Sequence, residues 1–158
     1  TKGKEDSFIS DCTIETDQLA LIPDSYIDMT AEKIRIYKEL DSLTSDKEID
    51  NMKKRLSDRF GNLPDEVLRL FDIVRIRQLG QKLGFEKIII KNGVMIAFFI
   101  SNPLSQYYKS DVFTKILGNI SVNPKLFELK QNDSKLRIFA KNVDSISKAH
   151  ETLSKLLN

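Results

Sequence analysis

Apolar residues recur along this chain in three successive helical stripes, after which the texture switches to that of strands. Ahead of the stripes, "CTIETDQLALIP" alternates in its first half and is apolar in its second. That pattern predicts a strand bent near Asp17 and Gln18 and ended by Pro23. From Thr30, a residue suited to capping a helix, "TAEKIRIYKELDSL" sets Ile34, Tyr37, Leu40 and Leu43 on one stripe. Ser45 and Glu48 then have capping-box spacing, and Ile49, Met52, Leu56 and Phe60 make a second stripe that stops at Gly61. The third helix is expected from Pro64 to Gly84, with Val67, Leu70, Phe71, Ile73, Val74, Ile76, Leu79 and Leu83 covering a broad face.

Beyond Gly84, "FEKIII" and "VMIAFFI" read as strands joined through Asn92-Gly93, the strongest short hairpin signal. "SDVFTKILGNI" reads as a helix, "KLFELK" and "KLRIFAK" as strands around the turn "QNDS", and a last helix is expected from Asn142. The predicted fold class is α+β: three N-terminal helices packed with an antiparallel sheet of ββα-ββα pattern, its helices on one face. One domain is expected over residues 13–158, with a helical half (24–84) and a sheet half (85–158), behind a mobile lead-in or linker at 1–12.

Composition adds few constraints. With 158 residues, 41% hydrophobic and 30% charged, the chain can bury a normal core. Its 25 Lys and Arg against 23 Asp and Glu leave a net charge of +2, too little to imply a polyanionic partner by itself. A single cysteine, Cys12, excludes an internal disulfide framework, and no apolar run approaches the roughly 20 residues that span a bilayer. A cytoplasmic, non-membrane protein is expected. The start, "TKGKEDSFISD", has no initiating methionine, the trace expected either of a piece cut from a longer protein or of tag removal.

Candidate chemistry is sparse. No segment matches the phosphate-binding loop G-x-x-x-x-G-K-[ST]. "DEVL" at 65–68 looks like the acidic box of a helicase motor, but it follows Pro64 at a predicted helix start rather than ending a strand. "SISK", Ser145 to Lys148, has Ser-Lys hydrolase spacing and reads as helix surface. His150 has no second ligand nearby in sequence, and Cys12 is expected to be inert. Arg69, Arg75, Arg77, Lys82 and Lys87 scatter around the third helix, and Tyr107-Tyr108 read as core anchors rather than a stacking platform. The expectation is a domain with no catalytic, cofactor-binding or metal-binding residues, monomeric on its own.

One stretch does not fit so quietly. "RLSDRFGNLPDEV" ends one helix and starts another, and it places Asp58 in the last turn, at the negative end of the helix dipole. Asp58 lies about 200° round the helix from Leu56 and so points away from the core stripe. The local explanation is a solvated acid paired with Arg55 or Arg59.

Taken in order, "ALIPDSYI", "RIYKELDSL", "DRFGNLPDEV" and "IRQLGQKLG" resemble the C-terminal (TRCF) domain of bacterial transcription-repair coupling factors, most specifically at Asp58 to Pro64. The resemblance implies a module that follows ATP-driven DNA translocase domains. It implies a clamp on the N-terminal UvrB-like module of the same protein, masking the surface that binds UvrA. RNA polymerase and DNA would be met only through the rest of that protein. It also implies a partner interface at the end of the second helix, here Asp58 with Arg55, Arg59, Asn62 and Asp65. Arg55 departs from the family pattern, where an acid often stands three residues before the aspartate. The alternative function is an accessory nucleic-acid-binding module of a DNA translocase.

Overall fold

The computed structural model describes residues 8–9, 11–133 and 135–158. Most of the expected lead-in, residues 1–7 and 10, lies outside the described residues. The part that is described packs: Phe8 stands edge-on to Tyr107 at 5.5 Å and Cys12 is buried, so the fold begins before Thr13. Two compact units make up the chain, one of Leu19–Arg75 and one of Ile76–Asn158 with the described residues up to Gln18.

The Leu19–Arg75 unit contains α1 (Thr30–Ser42), α2 (Asp46–Phe60) and the first half of α3 (Asp65–Leu83). Ile49, Met52 and Leu56 form the buried stripe of α2 as expected, and they meet Val67, Phe71 and Val74 of α3 in one cluster with Ile22 and Ile27. The stripe of α1 is rotated from the expected one: Ile36, Leu40 and Leu43 are buried, Tyr37 is half-buried and Ile34 is 50% exposed. Counting in threes falls behind the helix by about 60° at each step, whereas 36, 40 and 43 stay on one face. Met29, not Thr30, occupies the N-cap of α1, and no side chain caps that end. At α2 the capping box forms in shifted register. Ser45 Oγ accepts the Glu48 N–H at 3.2 Å, while the Glu48 carboxylate accepts from the Thr44 N–H at 2.7 Å and from its hydroxyl. The Thr44 N–H holds the Glu48 carboxyl below the usual carboxylate range.

The second unit is built on a five-stranded sheet of order β1-β2-β3-β5-β4. Its strands are β1 (Thr13–Thr16), β2 (Lys87–Lys91), β3 (Val94–Phe98), β4 (Phe127–Asn132) and β5 (Lys135–Lys141). The α+β class and the ββα-ββα run hold, with α4 (Asp111–Val122) and α5 (Ile146–Ser154) as the two helices. The sheet is mixed rather than wholly antiparallel, because β1 joins its edge parallel to β2. β1 is also far shorter than the strand expected to reach Pro23. Asp17 and Gln18 divert to other partners: Asp17 accepts the Asn92 N–H at 3.1 Å, and the Gln18 side chain bonds the Asp144 carbonyl at 2.7 Å. The β2–β3 connection is the two-residue turn that Asn-Gly specifies, Asn92 at φ 54° and Gly93 at φ 75°. Asn142 also takes positive φ, so α5 begins only after Ser145, whose Oγ accepts the Lys148 N–H at 3.0 Å.

Side chains alternate across this sheet. Ile88, Ile90, Met95, Ala97, Ile138 and Ala140 are buried, whereas Ile89, Ile96, Phe98 and Phe139 on the other face are half-buried. The second half of α3 belongs to this unit because Ile76 and Leu83 are buried and Gly80 lies close to Cys12. The boundary therefore falls inside α3 and not after Gly84. Burial, with the Asp11 carboxylate adding to it, pushes the Cys12 thiol up to about 12, as expected of an inert cysteine.

Tyr107 anchors this unit. It is fully buried, its hydroxyl donates to the Leu83 carbonyl at 2.7 Å, and Phe99, Tyr108 and Phe113 surround its ring. Gly84 ends α3 at φ +84°, where a Cβ would lie 2.2 Å from that ring. Both the conformation and the space require glycine there. Gly84→Ala is therefore expected to lower stability by about 2–4 kcal/mol, the sum of a left-handed alanine and an overpacked core. Urea unfolding checks this; a loss under about 0.5 kcal/mol would show that the ring moves aside freely.

Candidate partner interface

The corner between α2 and α3 is fixed by backbone chemistry on both sides. Gly61, at φ +93°, closes α2 by donating its N–H to the Ser57 carbonyl at 2.9 Å. Three residues on, the Pro64 carbonyl accepts the Val67 and Leu68 N–H groups, each at 3.0 Å, and opens α3. Tyr26 pins the corner from the side, donating its hydroxyl to the Gly61 carbonyl at 2.8 Å while its ring lies 5.9 Å from Phe60. Asp65 and Glu66 stand in the first turn of α3, at the positive end of its dipole. "DEVL" is thus a helix N-terminus.

Arg55, Asp58, Arg59, Asn62 and Asp65 are all exposed. The first three, at i, i+3 and i+4, share one side of α2, and Asn62 follows in the turn just past the helix end. The local pairing of Asp58 does not form. Arg59 reaches Glu32 on α1 at 2.7 Å, its guanidinium lying over the Phe60 ring at 4.8 Å. Arg55 pairs instead with Glu39 of α1. Among the described residues Asp58 has no hydrogen-bond or ion-pair partner, although the last-turn carbonyls around it disfavour a negative charge. What the corner offers chemically is an acceptor-only carboxylate on a rigid helix end, ready for a guanidinium from outside.

Glu32 is the residue that periodicity could not find. It is 6% exposed and pairs with both Arg35 and Arg59. The i,i+3 partner was visible in the sequence, but Arg59 lies 27 positions away and is brought near only by the α1/α2 packing. A cleft of about 320 Å³ runs beside this network, lined by Glu32, Glu39, Arg55, Arg59 and Phe60 among others.

The remaining candidates resolve simply. Ser145 of "SISK" is a helix cap, and Lys148 pairs with Glu151 at 3.0 Å. Arg69 donates to the Leu19 carbonyl, Arg75 faces Asp46 at 3.5 Å and Arg77 faces Asp11 at 4.0 Å. Among the described residues, no three His, Cys, Asp or Glu side chains are grouped to hold a metal ion, and no helix is long and apolar enough to cross a membrane.

A family model described as the TRCF domain matches residues 16–110. A transcription-repair-coupling factor of Rickettsia prowazekii is 34% identical over 139 residues, which is 86% of this chain and 12% of that protein. The Escherichia coli K12 protein of the same name is 37% identical over 84 residues, 53% of this chain and 7% of that one. The chain thus spans about an eighth of the length of the Rickettsia relative. A solved structure described as the C-terminal domain of transcription-repair coupling factor superposes with a TM-score of 0.75 at 20% identity, covering 96% of this chain and 93% of that one. At that identity the likeness establishes the fold.

The electrostatics of the corner separate two substitutions. Asp58→Ala removes an exposed, unpaired acid opposed to the local dipole, so the stability of the chain should change by less than about 1 kcal/mol. Glu32→Ala removes a buried carboxylate holding two guanidiniums; since those are mostly exposed and can return to water, a loss of about 1–2 kcal/mol is expected. Chemical denaturation of both variants checks the contrast, and an equal loss in both would mean that Asp58 has a partner within the fold.

Proposed function

Because the chain belongs to the TRCF domain family of transcription-repair coupling factors, we propose that it is their non-catalytic regulatory module, an intramolecular clamp on the N-terminal UvrB-like module. The observation that carries this reading is Asp58: exposed, at an unfavourable helix end, and left unpaired while both neighbouring arginines turn to α1. In the closed protein, arginine of the N-terminal module donates to Asp58, and the masked surface is the one that binds UvrA. A carboxylate–guanidinium pair suits a clamp because it is directional and costly to break from one side only. Arg55 turns to Glu39, so the acid of the patch is concentrated in Asp58, with Asp65 across the corner. ATP-driven translocation, and contact with stalled RNA polymerase, belong in this reading to the rest of the protein, in transcription-coupled repair. No cofactor is required of this module.

The experiment is UvrA capture by the full-length protein. Losing one partner of a buried charge pair costs about 2–5 kcal/mol, enough to open a modestly biased closed state. UvrA affinity of full-length Asp58→Ala should therefore rise at least about tenfold, while melting of the separate 158-residue chain is unaltered. Normal melting with no gain in UvrA affinity makes Asp58 a solvated acid and ends the clamp reading. The same reading makes the separate chain a monomer; a stable dimer in sedimentation at micromolar concentration contradicts it.

A further inference from the structure

Strand register brings together on the open face of the sheet a set of residues that are scattered in sequence. Lys87 pairs with Phe98, Phe98 with Arg137, and Arg137 with Lys130, forming one row across four strands. The adjacent row runs Ile89, Ile96, Phe139 and Glu128, and beyond it Lys91, Val94 and Lys141 form a third. Lys135 shares the face by alternation with Arg137 and Phe139. Six cations therefore stand on this face against two carboxylates, Glu15 and Glu128. With a net charge of only +2 on the whole chain, the remainder is net negative. Of the basic residues counted round α3 only Lys87 stands here; the other five cations come from β2, β4 and β5 and are brought together by strand pairing.

Two features of the face are unfavourable as they stand. Lys130 and Arg137 lie directly opposite each other on neighbouring strands, an arrangement of like charges that destabilises a sheet. Both lie over the Phe139 ring, Lys130 Nζ at 4.4 Å and Arg137 Cζ at 5.1 Å from its centre, cation–π contacts that offset part of that repulsion. Among the described residues Glu128 forms an ion pair only with Lys130, at 4.0 Å, and Arg137 Nε is buried without a hydrogen-bond partner. An anion between the Lys130 and Arg137 head groups would offset the repulsion between these two cations. Next to them is a hollow of about 400 Å³ whose floor includes Ile89, Ile96 and Phe139 and whose rim includes Lys91 and Lys141.

We propose that this open sheet face binds single-stranded nucleic acid. Phosphates sit on the Lys130–Arg137 pair and along the lysine rows, while unstacked bases lie on Phe98 and over Phe139 in the hollow. Half-buried aromatic rings on two adjacent central strands, interleaved with cations, form a stacking platform that an acidic peptide would not use. A duplex keeps its base faces stacked internally and cannot offer them to a sheet surface. This site is independent of the Asp58 corner and does not rest on the clamp.

The test uses the 158-residue chain and a fluorescent oligothymidine of about twenty nucleotides, read by anisotropy at low and physiological salt. Lys130→Glu with Lys141→Glu should weaken binding at least about tenfold. Lys47→Glu with Lys54→Glu, the same charge change on exposed positions of α2, should weaken it less than about threefold. Phe139→Leu, which keeps the position apolar, should still weaken binding at least about fivefold through loss of stacking. The proposal is overturned by absence of saturable binding at low salt, by equal losses in the two double variants, by an unaffected Phe139→Leu, or by polyglutamate competing as well as DNA.

Discussion

Glu32 is the charge on which the helical corner depends. Buried near the start of α1, it draws Arg59 across from the end of α2, and Arg35 reaches it from its own helix. With Glu39 holding Arg55 in the same way, both arginines that flank Asp58 in sequence are committed to α1. The contribution to folding is modest, because both of the guanidiniums on Glu32 remain largely in water. The consequence for Asp58 is larger. An acid whose neighbours would ordinarily neutralise it is left exposed against the negative end of a helix.

Each unit shows the same division between a face that folds and a face that is left over. In α2, Ile49, Met52 and Leu56 are spent on the core, and the opposite side presents Asp58. In the sheet, the alternation that buries Ile90, Met95 and Ile138 also sends Lys91, Phe139 and Arg137 to the open face. Neither leftover surface is neutral: one is an unpaired acid, the other a crowd of cations round aromatic rings. Residues retained where they disfavour local stability are natural candidates for contacts made outside the fold.

Much of the fold was legible because its signals are local. The Ser45 cap, Gly61, Pro64 and Asn92-Gly93 each act within four residues, and each does in the structure what its spacing implied. The features that escaped depend on partners distant in the chain. The phase of α1 is decided by which side meets Ile49 and Phe71, and β1 finds its parallel neighbour more than seventy residues on. The same applies to the surfaces. That Asp58 points outward followed from helical geometry alone, but its lack of a partner required Glu32 and Glu39. The cationic face was invisible to counting along one helix, since it is assembled by register between β2, β3, β5 and β4.

The proposed clamp makes Asp58 the charge that a partner arginine must find, and Arg55 a bystander satisfied by Glu39. Calorimetric titration of the separately produced N-terminal UvrB-like module with this 158-residue chain measures that contact without the rest of the protein. Asp58→Ala should weaken the association by about thirtyfold or more, and Arg55→Ala by less than about threefold. An Asp58→Ala chain that binds the module as tightly as the unaltered one contradicts the account.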